Sequence, residues 1–199
     1  MKKIVLTIAL MLMHFSTLSA ENASPPANAA LCAACHGAQG ISTNPQWPNI
    51  AGQHRNYLLK QLQDYKHGAS RNDAAMSAVV NSLSEQDMAD LAVFYSLQPI
   101  AEGATPERYV KRGEQLYRGG DFAKQITACI ACHGPKGTGN GQAGFPSLSG
   151  QHAAYIIEQL QAFKEHKRTN DLNGIMQDIS AKLSSEDMAA VAYYIQGLH

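Results

Sequence analysis

The sequence contains little of what marks a nucleic-acid-binding, disordered or disulfide-rich protein. Of 199 residues, only four are cysteine and one is tryptophan, and Lys plus Arg equals Asp plus Glu at 16 each. The zero formal charge argues against binding of nucleic acid through bulk positive charge, and against an acidic disordered tail. Four cysteines are too few for a small disulfide scaffold. Hydrophobic residues make up 45% of the chain, so it can build a core.

The only long apolar run lies at the N-terminus and predicts an export signal. Residues 1–20 begin with two lysines after the initial Met, continue through an apolar run of 12 residues and end in Ser-Ala. This order is typical of a secretory signal peptide. Twelve residues fall short of the roughly 20 that a membrane-spanning helix needs. We therefore expect cleavage near Glu21 and no membrane span afterwards, with an uncleaved anchor as the alternative.

The remainder of the chain consists of two copies of one sequence repeat. CAACHGAQG in the first half becomes CIACHGPKG in the second, and PNIAGQHRNYLLKQLQDYK becomes PSLSGQHAAYIIEQLQAFK. Two copies are too few for a solenoid, so we predict two tandem domains related by pseudo-symmetry. We place the first domain at residues 21–98, a linker at 99–105 and the second domain at 106–199.

The spacing of apolar residues indicates a helical protein. Residues 57–66 carry apolar side chains on one helix face, and the second copy repeats them. Ser84 and Ser184 precede acidic first turns, as helix N-caps do, and Thr105 followed by proline is a third cap signal. No stretch shows sustained strand alternation. Each domain has a thin apolar core, so we expect something large and apolar to fill its centre.

Each half carries a C-x-x-C pair followed directly by histidine: Cys32, Cys35 and His36, then Cys129, Cys132 and His133. C-x-x-C-H is the attachment motif of c-type haem. Each thiol can form a thioether with one of the two porphyrin vinyl groups, and the histidine then lies beneath the iron as its proximal ligand. The two motifs predict two covalently bound haem c groups.

Three other chemistries use paired cysteines. A thioredoxin-like redox pair needs a βαβ context, which the sequence does not contain. A zinc site would find three ligands in each half and lack a natural fourth. Structural disulfides would leave the adjacent histidines unexplained.

The sixth ligand of each iron is predicted to be methionine. After signal cleavage the chain keeps four: Met76, Met88, Met176 and Met188. Met88 and Met188 lie on apolar helix faces, where methionine usually packs into the core. We assign Met76 and Met176, in loops before those helices, as axial ligands. The repeat alone does not decide this, because both methionine pairs share the same offset of 100 residues.

Histidines are the rival sixth ligands. His54 and His152 recur as G-Q-H in both halves, and their ligation would give bis-histidine haem of lower potential. The alternative is an exposed position at the start of a helix, near a haem edge. His67 and His166 do not align with each other, and we expect them on the surface.

The repeated pattern C-x-x-C-H-G, P-x-[IL]-x-G-Q-x-x-x-Y, Q-L-Q-x-[FY]-K and a later methionine resembles the cytochrome c4 family. The resemblance runs from about Ala29 to Leu198. It implies an all-α protein with two class I cytochrome c domains related by pseudo-twofold symmetry, one covalent haem c in each. The implied function is electron transport in the periplasm, without enzymatic activity, commonly towards a membrane-bound terminal oxidase. The implied partners are redox proteins in transient contact. We expect a monomer.

The resemblance also implies roles for single residues. Pro48 and Pro146 match the proline whose carbonyl accepts a hydrogen bond from the proximal histidine, and the later methionines match the distal ligands. Arg71 and Arg168 lie near a basic position of the family, where they would either pair with haem propionates or remain solvated.

A further implied feature is a helix crossing. Gly113, Leu116 and Tyr117 look like the N-terminal helix that crosses the C-terminal helix in class I domains. The first half lacks this pattern, so its own N-terminal helix should be short.

Two other functions remain alternatives. A dihaem peroxidase would need one haem with an open position, and each half offers its own methionine. The cytochrome subunit of a flavocytochrome c sulfide dehydrogenase also resembles two fused class I domains. It would have a tight flavoprotein partner and a larger, more apolar interface.

Overall fold

Nine α-helices and long connecting loops make up residues 24–199, the part of the chain that this computed structural model describes. The helices are α1 (Ala29–His36), α2 (Arg55–His67), α3 (Ala74–Val80), α4 (Glu85–Ser96), α5 (Glu107–Glu114), α6 (Ile130–His133), α7 (Ala153–Lys164), α8 (Ile175–Lys182) and α9 (Ser185–Gln196). Over residues 24–199 the only β-structure is three isolated bridges, so the all-α prediction is confirmed. None of the described helices has the length and apolarity to cross a bilayer. The predicted signal segment, residues 1–20, lies outside the described residues.

The two halves repeat one order of helices, with a single addition. Helices α1–α4 in the first half correspond to α6–α9 in the second. Helix α5, which continues as a π-helical turn at Gln115–Gly119, belongs to the second half alone. The described first half starts at Ser24 and enters α1 five residues later, so no helix equivalent to α5 precedes it within residues 24–199.

Two of the three predicted helix caps are confirmed. The Ser84 and Ser184 hydroxyls each accept the amide of the aspartate three residues on, and that aspartate's side chain accepts the serine amide in return. The predicted cap at Thr105 is wrong. Helix α5 begins at Glu107, and the Thr105 hydroxyl donates to the carbonyl oxygen of Tyr194 at 3.3 Å instead.

The second half has the larger core because α5 crosses α9 there. Gly113 lies at the crossing, and a Cβ on it would stand 2.4 Å from the carbonyl oxygen of Ala190. Leu116 and Tyr117 follow from the same segment and are fully buried in the core with α9 residues. The predicted crossing in the second half is therefore confirmed, and its close approach requires glycine.

The two halves meet through polar side chains related by pseudo-twofold symmetry. The Gln151 amide accepts the N–H of Asn49 at 2.9 Å and donates to the carbonyl oxygen of the same residue at 2.7 Å. Gln53 makes the equivalent pair with Ser147, at 2.9 and 2.8 Å. Each domain thus places one glutamine against the backbone of the other, much as neighbouring strands pair in a sheet.

Candidate haem sites

One continuous cavity of about 1250 Å³ reaches into both halves of the described chain. It exceeds the roughly 300–1,000 Å³ of an ordinary small-ligand pocket. All eight predicted attachment and ligand residues line it: Cys32, Cys35, His36 and Met76 from the first half, and Cys129, Cys132, His133 and Met176 from the second. The remaining wall is mostly apolar in area, and leucine, isoleucine and aromatic side chains are its largest group. The cavity therefore fits the large apolar group that the thin cores predict in each domain.

The two proximal histidines have the same buried setting. His36 Nδ1 lies 2.8 Å from the carbonyl oxygen of Pro48, and His133 Nδ1 lies 2.9 Å from that of Pro146. Because a carbonyl only accepts, Nδ1 must carry the proton in each ring, which leaves the Nε2 lone pair free for a metal. The hydrogen bonds expected from the family resemblance are thus present.

The charge state of these imidazoles suits metal binding. Burial lowers the pKa of both His36 and His133, and the hydrogen bond to the proline carbonyl opposes that effect only in part. Both rings are consequently neutral at pH 7, and the neutral ring is the form that ligates iron.

The cysteines form no disulfide among the described residues and lie beside the histidines in sequence and in space. In the first half Cys32 and Cys35 are one turn apart on α1. Burial raises the pKa of the Cys32 thiol and raises that of Cys129 to about 11. Before haem attachment both thiols would therefore be protonated at neutral pH, whereas a thioredoxin-like pair depends on a lowered thiol pKa.

The placement of the two predicted methionine ligands corrects one expectation. Met76 and Met176 do not lie in loops but in the first turns of the short helices α3 and α8. Each has its backbone amide held by a carboxylate. The Asp73 side chain accepts the amide of Met76 at 2.9 Å, and the Asp171 side chain accepts that of Met176 at 2.8 Å.

Sequence reasoning missed these two aspartates. The available signal was an acidic residue three positions before Met76, in the place of a helix cap, and another five positions before Met176. Asp73 is the N-cap of α3, whereas Asp171 accepts two amides of the first turn of α8 from outside that helix. Both carboxylates thus restrain the turn that carries the methionine.

The rival ligands lie elsewhere. Met88 and Met188 are 0% and 1% exposed in the cores of their domains, and neither lines the cavity. His54 and His152 directly precede α2 and α7, but they too are absent from the cavity wall.

The G-Q-H motif instead belongs to the domain interface. His54 Nε2 lies 2.8 Å from the carbonyl oxygen of Thr138, and His152 Nε2 lies 3.0 Å from that of Ser42. Both contacts cross from one domain to the other. His67 and His166 are exposed, as predicted.

The two arginines near the family's basic position are not solvated. Arg71 is 5% exposed and Arg168 is 6% exposed, and both line the cavity. They pair with each other across the two halves in an antiparallel bridge. Arg71 and Arg168 are one residue out of register when the two repeats are aligned, yet in the structure they occupy equivalent buried positions at the cavity.

Two helical domains, each with a C-x-x-C-H histidine and a methionine at a common cavity, define a class of protein: the dihaem c-type cytochromes, which hold one covalent haem c in each domain and transfer electrons. The family model for cytochrome c matches residues 26–95 and 110–199. The chain is 46% identical to cytochrome c4 of Pseudomonas aeruginosa, over 98% of this chain and 96% of that protein. It belongs to the cytochrome c4 family.

Two further similarities are relevant. The crystal structure of reduced recombinant cytochrome c4 from Pseudomonas stutzeri matches with a TM-score of 0.83 and 46% identity, covering 85% of this chain and 94% of that one. The thiosulfate dehydrogenase electron acceptor of Thiomonas intermedia is 39% identical, over 96% of this chain and 89% of that protein. The prediction of two class I domains in an electron-transfer protein, rather than an enzyme, is thus confirmed.

Proposed function

We propose that this protein carries single electrons between periplasmic redox proteins, with His36 and Met76 as axial ligands of one haem iron and His133 and Met176 of the other. The four cysteines would hold the haem groups through thioethers. One observation carries the proposal: the two histidines and two methionines proposed as ligands all line a single cavity, and the rival methionines and histidines of both repeats do not.

The residues around the cavity suit electron transfer more than catalysis. When bound, each haem supplies a one-electron ferric–ferrous couple. The chain holds the proximal ring by a carbonyl and the distal helix by a carboxylate cap, so both ligand positions are set before any electron arrives. Two protein ligands per iron leave no open position for peroxide. Met/His ligation in an apolar pocket favours the reduced form and a high potential.

We also propose the limits of the two domains and the cellular location of the protein. The first domain covers residues 21–98, the linker 99–105 and the second domain 106–199, after removal of a signal peptide at 1–20. The mature protein would act in the periplasm as a monomer and pass electrons towards a membrane-bound terminal oxidase.

Partner contact is proposed to be transient and to involve the exposed mouth of the first-domain site. Leu31 and Trp47 line the cavity, yet they are 46% and 42% exposed. No Asp, Glu, Lys or Arg occurs between Glu21 and Arg55. A small, uncharged and partly apolar face suits the brief encounters of redox proteins.

A second candidate function concerns the electron donor. A relative that is 39% identical is named for accepting electrons from thiosulfate dehydrogenase, so this chain could serve a sulfur-oxidising enzyme in the same way. Stopped-flow reduction by a purified thiosulfate dehydrogenase, compared with reduction by a membrane quinol–cytochrome c oxidoreductase, distinguishes the two donors. Gel filtration of native extract tests the flavocytochrome alternative, since co-elution with a flavoprotein contradicts a free carrier.

The ligand assignment is tested by the near-infrared spectrum of the ferric protein. We expect a methionine–iron charge-transfer band with the intensity of two haems. Met76→Leu and Met176→Leu should each remove about half of it, because leucine has similar volume but cannot ligate. The matched controls Met88→Leu and Met188→Leu change core methionines and should keep the full band. Full intensity in both ligand variants would overturn the assignment.

A further inference from the structure

The peptide group between Pro48 and Asn49 is hydrogen-bonded on both sides. Its carbonyl oxygen, on Pro48, accepts from His36 Nδ1 at 2.8 Å, and its N–H, on Asn49, donates to the side-chain oxygen of Gln151 at 2.9 Å. His36 belongs to the first domain and Gln151 to the second. One peptide group therefore connects the proximal histidine of one domain to a side chain of the other.

The second domain contains the same arrangement. The carbonyl oxygen of Pro146 accepts from His133 Nδ1 at 2.9 Å, and the N–H of Ser147, in the same peptide group, donates to the side-chain oxygen of Gln53 at 2.9 Å. Gln53 and Gln151 are the equivalent glutamines of the G-Q-H motif. Each copy of the motif therefore leads, through one peptide group, to the proximal histidine of the opposite domain.

The surrounding backbone fixes the orientation of each glutamine amide. The Gln151 oxygen accepts a second N–H, from His152 at 3.0 Å, while its nitrogen donates to the carbonyl oxygen of Asn49 at 2.7 Å. Gln53 has the equivalent set of three bonds. A backbone N–H only donates and a backbone carbonyl only accepts, so a flipped amide would lose all three bonds. The oxygen of each glutamine must therefore face the peptide N–H.

Burial gives these bonds an influence on one another. Gln53, Gln151 and Asn49 are all buried. In the protein interior hydrogen bonds are electrostatically stronger than in water, and bonds arranged in a chain polarise each other. A peptide group whose N–H donates carries more negative charge on its oxygen, and that oxygen is a better acceptor. The glutamine bond on one side of the peptide thus strengthens the histidine bond on the other.

We propose that Gln151 strengthens the hydrogen bond that orients His36, and that Gln53 does the same for His133, so that each domain adjusts the reduction potential of the haem in the other. The inference rests on the proposed function, because it needs a ligated haem above each proximal histidine. The glutamines are positioning residues, since they act on the histidine through the peptide group.

The direction of the effect follows from charge. A stronger bond from Nδ1–H to the carbonyl makes the imidazole a more basic ligand. Ferric haem carries one more positive charge than ferrous haem, so a more basic ligand favours the ferric form and lowers the reduction potential. Loss of the Gln151 amide should therefore raise the potential of the first-domain haem. Loss of the Gln53 amide should raise that of the second-domain haem.

The test is a redox titration of the holoprotein with the variants Gln151→Met and Gln53→Met, which keep an unbranched side chain and remove the amide. NMR follows each haem through the methyl signal of its axial methionine, and Met76→Leu and Met176→Leu assign the two signals. We expect each variant to raise the potential of the haem in the opposite domain. In the reduced protein the Nδ1–H signal of that domain's proximal histidine should move upfield. A shift confined to the variant's own domain, an equal shift of both haems or no shift overturns the proposal.

His152→Ala and His54→Ala are the matched controls. Each removes a hydrogen bond that also crosses the interface, made by the residue next to the glutamine, but the acceptors are the carbonyl oxygens of Ser42 and Thr138. These variants loosen the contact between the domains and leave the proximal peptide groups paired. We expect them to shift the potentials by less than the glutamine variants do. Shifts as large as those of the glutamine variants would show that the potentials respond to docking in general, and would overturn the proposal.

Gln151→Glu keeps the outcome decisive if loss of the amide disturbs the fold. An ionised carboxylate accepts the Asn49 N–H more strongly than an amide does, so the first-domain potential should fall, and by more than the second-domain potential. A change in the same direction as in Gln151→Met overturns the proposal, because looser docking would act alike in both variants. Wild-type protein without two axial-methionine signals would instead contradict the proposed ligands, which separates the two failures.

Discussion

Gly113 shows how one residue decides the packing of a whole domain. Its missing side chain lets α5 lie directly on the backbone of α9, with the Ala190 carbonyl and the Tyr194 side chain occupying the space of a Cβ. Gly119, six residues later, faces nothing within 4 Å and serves as a natural comparison.

We predict that Gly113→Ala lowers the free energy of unfolding by about 1–3 kcal/mol, because the added methyl must push two helices apart. The better helix propensity of alanine does not offset a clash with backbone. Chemical denaturation of the holoprotein measures the change. Gly119→Ala should be neutral or slightly stabilising, and an equal loss in both variants would refute the packing argument.

The buried carboxylate of Asp187 also stabilises the second domain. It is 4% exposed, and its carboxylate accepts from Arg112 at 2.6 Å and from Lys124 at 2.7 Å. Burial acts to raise the pKa of Asp187, but the hydrogen bonds from Lys124 and Arg112 outweigh it and bring the pKa to about 2. The equivalent Asp87 accepts from the neutral Asn28 instead.

Asp187→Asn should cost about 2 kcal/mol of stability at pH 7, the free energy equivalent of the lowered pKa. The folded pKa lies below the unfolded value of about 3.9, so this stability is present above pH 4 and disappears as the pH falls towards 2. Urea denaturation of wild type and variant across pH 2–7 checks it. The two curves should converge at low pH, while Asp87→Asn should give the smaller loss at pH 7.

At the scale of elements, the short helices α3 and α8 carry the proposed distal ligands and depend on their first turns. Asp73 caps α3, and its carboxylate holds the amide of Met76 itself. A helix of seven residues has little stability of its own, so the cap contributes much of what keeps the methionine in place.

Asp73→Ala should therefore loosen the ligand helix by about 1 kcal/mol and speed the displacement of methionine by cyanide about fivefold in the ferric protein. Stopped-flow absorbance at the first-domain haem measures the rate. Asp73→Asn keeps a side-chain oxygen that can cap, so it should stay close to wild type. Equal rates in the alanine and asparagine variants would show that the cap does not restrain Met76.

At the scale of the whole molecule, the domains and the linker form one packed unit. The linker lies against α9, where the Gln196 side chain donates to the carbonyl oxygen of Ala104 at 3.2 Å. The glutamine contacts at the interface bury backbone groups of the opposite domain, so each must remain paired.

Gln151→Ala leaves the buried N–H and carbonyl of Asn49 without partners, at a cost of about 2 kcal/mol or more. Because the loss falls on the interface, we predict that unfolding followed by calorimetry changes from one transition to two. Gln86→Ala removes an exposed glutamine that bonds only to Asp90, and should leave one transition at the wild-type temperature. One unshifted transition in Gln151→Ala would contradict a role in docking.

The sequence by itself determined the parts of this protein that depend on neighbouring residues. The C-x-x-C-H spacing predicts the attachment site, the proline 12 or 13 positions later is the acceptor for the histidine, and the Ser84 and Ser184 caps define where two helices begin. The repeat then doubles the site. Each of these features depends on spacing along one segment, so it is visible in the order of residues.

Only the tertiary structure decided the choices between equivalent residues. Met76 and Met88 have copies at the same offset, and only the structure shows that Met76 lines the cavity while Met88 is buried in the core. The G-Q-H motif and the arginine pair act on residues about 100 positions away, in the other domain. Contacts across an interface leave no periodic pattern in the chain, because they depend on how two folded surfaces meet.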